Sequence, residues 1–135
     1  MGFLTVLLAA VGAFASGAVY YGVMAKPWMA ASGVPVGPDD KPQNGGSPVP
    51  YVVSFLCIVL VTGMMRHVFA LSGIDTVGKG LVSGLGIGAF FISPWMFLNA
   101  AYEMRGFTLP AINAGYAILG CGVAGLLLVL LGGWF

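Results

Sequence analysis

Apolar residues run almost without a break through four stretches of the chain, at about 2–25, 51–71, 80–102 and 108–135. A helix rises about 1.5 Å per residue, so each stretch is long enough to cross a hydrocarbon layer of about 30 Å. The breaks at 72–79 and 103–107 are short. Short connections force neighbouring helices antiparallel. The pattern therefore predicts an all-α fold, a single domain forming an integral membrane four-helix up-down-up-down bundle with both termini on one side.

Composition sharpens this picture. Charged residues are 7% of the chain and hydrophobic residues 59%, with a mean hydropathy of +1.01. Five Lys or Arg and four Asp or Glu cannot coat a soluble core of this size. The lipid bilayer is the expected partner. A net charge of +1 without any Lys/Arg cluster excludes a nucleic-acid footprint. Ala13-Phe14-Ala15 resembles a signal-cleavage site. No positive residue precedes the apolar run, however, and the run continues through Tyr20 and Tyr21, so a spanning helix is expected.

The break at 26–50 is the one sizeable polar segment. It holds most of the prolines, four glycines and the Asp39-Asp40-Lys41 tip, and reads as an irregular extramembrane connector. The face carrying this loop has Lys26, Lys41 and Arg105, whereas the face carrying the termini has Lys79 and a snorkelling Arg66. The positive-inside rule then places the loop in the cytoplasm and the termini on the non-cytoplasmic side.

Small residues recur at helical spacing. Gly80, Gly84 and Gly88 share one face of the third helix, Ala9, Ala13 and Gly17 one face of the first, and Ala117, Cys121 and Gly125 one face of the fourth. In lipid, such stripes let backbones approach closely. The stripes on the first and fourth helices are expected to pack internally. The glycine stripe is the expected contact with another membrane protein chain or a second copy.

Polar residues inside the spans mark candidate chemistry. Asn99 and Asn113 fall at similar depth on consecutive helices and are expected to turn inward and share a hydrogen bond. Arg66 and His67 form the one ionisable pair within a span, and Arg66 could pair with Asp75. Tyr20, Tyr21, Trp28, Tyr51, Trp95, Tyr102 and Tyr116 gather towards the loop-face ends, as an interfacial aromatic belt does. Ser93-Pro94 predicts a kink or loosened turn, because proline lacks an amide donor. Cys57 and Cys121 differ in depth by about 10 Å, too far for a disulfide. No cofactor or metal set is expected, and no nucleophile–base–acid constellation marks an enzyme.

Val19-Tyr20-Tyr21, Lys26-Pro27-Trp28-Met29 and Gly33, with Asn99, Tyr102, Glu103, Arg105 and 112–116 (Ile-Asn-Ala-Gly-Tyr), resemble an uncharacterised four-helix bacterial membrane family, domain of unknown function 1761. The resemblance implies a tetraspan architecture and a bacterial inner (cytoplasmic) membrane, and carries no activity. The expected function is that of a non-catalytic accessory or structural subunit of a larger membrane complex. The alternative is a small homo-oligomeric transporter or channel, although the first helix lacks the acidic residue that small multidrug transporters use.

Overall fold

The computed structural model describes residues 2–39, 42 and 47–132. Asp40, Lys41, Gly45, Gly46 and the end of the predicted fourth helix at 133–135 lie outside them. Among the described residues there are four helices long and apolar enough to span a membrane: Gly2–Val23, Val49–Ser72, Val77–Tyr102 and Thr108–Gly132. The first is α1 (Gly2–Val23), followed by a short α2 (Ala25–Ser32); the second is α3 (Val49–Ser72). The third span comprises α4 (Val77–Ile87), a π turn (Gly88–Ile92) and α5 (Ser93–Tyr102), and the fourth is α6 (Thr108–Gly132).

The ends follow local chemistry. The α1 ladder stops at Val23 because the residue four positions on, Pro27, has no N–H to donate to it. Proline is tolerated in a first helical turn, so the chain resumes as α2 rather than continuing as the irregular connector the prolines imply. Gly33, at φ 70°, closes α2 with its N–H on the Met29 carbonyl. α3 ends the same way at Gly73, φ 68°. α4 begins three residues before the apolar run because the Thr76 side chain accepts from the Lys79 N–H at 3.2 Å and caps it.

Pro94 shapes the third span. Its ring would collide with the carbonyl one turn back in a regular helix. The turn before it widens instead into the π segment, and the Ser93 hydroxyl donates to the Gly88 carbonyl at 2.6 Å. The loosened turn predicted from Ser93-Pro94 is therefore present.

Interhelical contacts set directions. Cβ atoms built on Gly80, Gly84 and Gly88 would strike the backbone of Gly125, Cys121 and Ala117 respectively. Ascending one helix thus descends the other, so α4 and α6 are antiparallel. Along α1 and α3, Gly63 lies opposite Val6, and the Phe14 and Phe55 rings meet edge to face at 5.8 Å. These two are antiparallel as well. α6 is the central helix, with ten buried residues from Pro110 to Leu128, and it packs on the third span and on α1. α3 lies along α1, touches α6 less, and leaves a gap towards the third span.

The glycine stripe is therefore internal. It was expected to meet another chain, but its groove is filled by the small-residue stripe of α6. The glycines of the third span meet the α6 backbone at three successive levels, where α6 carries only the small residues Gly125, Cys121 and Ala117.

Candidate functional site

A cavity of about 680 Å³ occupies the gap between α3 and the third span. On the α3 side, Tyr51, Ser54, Ile58, Val61 and Thr62 recur at helical spacing and share one face. Ile92 and Met96 face them from the π turn and α5, and Asn113, Tyr116, Ala117, Gly120 and Cys121 form the α6 wall. Trp28 of α2 and Pro42 lie at the loop-face end, the latter bridged to Val36 across the connector. The inner end reaches Ala13, Thr62 and Cys121, near the middle of their helices. Among the described residues, no Asp, Glu, Lys, Arg or His lines it.

Its polar groups are positioned from α1 and α6. The Tyr21 hydroxyl donates to Asn113 Oδ1 at 2.8 Å, the Tyr116 hydroxyl to the Ala13 carbonyl at 2.7 Å, and the Tyr20 hydroxyl to the Ile112 carbonyl at 2.6 Å. Tyr21 stands edge to face with Tyr116 at 5.4 Å and with Trp28 at 6.2 Å. Glycines make room for these rings: Gly17 and Gly120 flank Tyr116, and Gly115 faces Tyr20. Thr62, 1% exposed, borders this region, and its buried hydroxyl has no hydrogen-bond partner among the described residues. Such an orphan is uncommon in a folded interior.

The candidate residues divide accordingly. Tyr20, Tyr21, Trp28 and Tyr116 were expected as a headgroup belt; they form an inward cluster instead, because the three tyrosine hydroxyls find partners across α1 and α6 and Trp28 packs against Tyr21. Trp95 and Tyr102 are exposed on the bundle exterior, where a belt would lie, whereas Tyr51, also exposed, lines the cavity.

Asn99 does not join Asn113. It is exposed, and Tyr21 holds the Asn113 carbonyl oxygen. The π turn is the reason. Each helical residue turns by about 100°, so eleven residues after Gly88 an unbroken helix would return Asn99 to the α6-facing side. One extra residue in the π turn moves that face on by one, and the buried positions become Gly80, Gly84, Gly88, Ser93 and Ala100.

Arg66 and His67, expected as buried polar residues, are also exposed. The Arg66 guanidinium reaches the start of α1 at Gly2 and borders a smaller cavity of about 320 Å³ near Asp75. Asp75 itself pairs with Lys79 at 3.6 Å, one helical turn away. Arg66 is long enough to carry its charge out of the span, which removes the need for a buried partner. Cys57 and Cys121 are both free thiols.

The sequence held only partial signals for the cavity. Ser54, Ile58, Val61 and Thr62 share a face, but a face alone does not tell lipid from a gap. Thr62 carried no signal at all, since threonine is common in membrane helices.

The family model described as "Protein of unknown function (DUF1761)" matches residues 4–129, a span that takes in all four membrane helices. The chain belongs to this family. No curated protein and no solved structure matches it. The tetraspan architecture implied by the resemblance is that of the structure.

Proposed function

We propose that this protein is a non-catalytic membrane protein that binds a small uncharged molecule within its bundle, for carriage across or within the bilayer. The single observation supporting this is the 680 Å³ cavity. It runs from the loop-face end to the middle of the membrane, and its volume falls within the usual range for small-molecule sites. The reading as an accessory subunit loses one of its supports, because the glycine stripe is already occupied by α6.

Ser54 is half-buried on the cavity wall, whereas its neighbour Val53 faces outward with 53% exposure. Ser54→Trp is expected to fill the cavity, and Val53→Trp to leave it open. Small molecules extracted from protein purified out of its own membrane should include a species enriched over bulk lipid in wild type and Val53→Trp. That species should be absent from Ser54→Trp. Identical extracts from all three proteins would overturn the reading.

A further inference from the structure

We infer that the smaller cavity, at the terminal face, holds the headgroup of a zwitterionic phospholipid of the phosphatidylethanolamine type, with its phosphate on Arg66 and its primary ammonium on Asp75. This site is separate from the cavity between α3 and the third span.

The charges here are placed for a ligand rather than for each other. Arg66 and Asp75 line the same cavity of about 320 Å³ and carry opposite charge. No ion pair joins them, and Arg66 belongs to no ion pair among the described residues. Its guanidinium lies instead against Gly2, at the start of α1, whose first turn holds no acid. Asp75 does pair with Lys79, but loosely, at 3.6 Å between side chains that are 78% and 62% exposed. That contact uses Oδ1, so Oδ2 remains for a second donor.

The depth is that of lipid headgroups. Spans of 22 to 26 residues are about 33–39 Å long, more than the hydrocarbon thickness of about 30 Å, so their ends stand among the headgroups. Gly2 opens α1, Asp75 follows the end of α3 at Ser72, and Gly132, also on the cavity wall, ends α6. Phe69, Ile74, Leu128 and Val129 make the rest of the wall apolar, as the glycerol end of a lipid and its first acyl carbons require.

Charge decides among headgroups. A phosphate matches the planar fork of a guanidinium. Phosphatidylglycerol would satisfy Arg66 and leave Asp75 facing a net negative lipid. Phosphatidylcholine carries a positive group, but one with no N–H to donate. Ethanolamine supplies three N–H donors beside its phosphate and so complements both side chains.

The test offers purified protein in detergent an equimolar mixture of dioleoyl phosphatidylethanolamine, phosphatidylglycerol and phosphatidylcholine, and reads bound mass by native mass spectrometry. Phosphatidylethanolamine should be retained about fivefold over either competitor, as one partly exposed charge pair provides. Asp75→Asn should level phosphatidylethanolamine with phosphatidylglycerol without weakening the latter. Arg66→Gln should weaken all three about fivefold or more, because they share the phosphate. Arg105→Gln removes a cation at the opposite face, where it pairs with Glu103 at 3.1 Å, and should change nothing. Equal retention of the three lipids by wild type, or a preference for phosphatidylglycerol, would overturn the inference without any variant. So would an ethanolamine preference that survives Asp75→Asn, or equal losses in Arg105→Gln and Arg66→Gln. Inorganic phosphate that displaces the bound lipid would make this a site for a free anion and overturn it as well.

Discussion

Gly84→Leu is expected to separate the third span from α6 and to destabilise the bundle by about 3 kcal/mol or more, the upper end of overpacking effects. The first side-chain carbon would lie 3.2 Å from the Gly122 Cα and 2.9 Å from the Cys121 carbonyl carbon. Those atoms are backbone, so no rotamer change relieves the clash. The helices would have to move apart along their length, which also strips dispersion contacts from Gly80 and Gly88. Gly84→Ala should cost less, about 1–3 kcal/mol, because a single methyl needs a smaller shift. Gly86 is the control on the same helix: a Cβ there meets nothing within 4 Å, so Gly86→Leu should stay within about 0.5 kcal/mol of wild type. Reversible unfolding in mixed dodecyl sulfate micelles measures all three. Equal effects at positions 84 and 86 would show that the stripe does not hold α6.

Tyr116→Ala should be nearly as damaging, at about 3 kcal/mol, the lower end of the range for deleting a buried aromatic side chain, since the ring is partly exposed. The ring packs against Tyr20 and Tyr21, fills the space left by Gly17 and Gly120, and ties α6 to the Ala13 carbonyl. Removing it also widens the cavity at its α6 wall. Tyr116→Phe keeps the ring and loses only the hydrogen bond, for an expected cost of about 0.5–1.5 kcal/mol. The same unfolding titration separates the two contributions. A Phe variant as unstable as the Ala variant would assign the effect to the hydroxyl rather than to packing.

How much of this was legible in the sequence depends on the physics behind each feature. The four spans were, because a bilayer demands about twenty apolar residues and nothing else in a short chain imitates that. The small-residue stripes were visible too, but not their pairing. Gly80, Gly84 and Gly88 look the same whether the surface they meet belongs to this chain or another; only the matched levels of Ala117, Cys121 and Gly125 decide it. α2 was obscured by Pro27, read as a breaker where it sits in a first turn. Asn99 was misplaced because its depth relative to Asn113 and the cost of an unpaired amide say nothing of helical phase, which the π turn shifts. The kink itself was foreseen, while the single residue it inserts, with the rotation that follows, was not. The cavity is the least legible feature, since it is defined by two helices that fail to meet.

That separation is the central claim, and disulfide trapping tests it most directly. In a variant with Cys57 and Cys121 replaced, Val6→Cys with Gly63→Cys forms the reference pair, since Val6 Cγ1 lies 3.9 Å from a Cβ built at Gly63. Val61→Cys with Ile92→Cys places one thiol on each wall of the cavity. Copper-phenanthroline oxidation should cross-link the reference pair rapidly and leave the cavity pair free, whereas a long bis-maleimide should bridge the cavity pair. Rapid direct oxidation of the cavity pair would mean that α3 closes on the third span and that no such cavity exists.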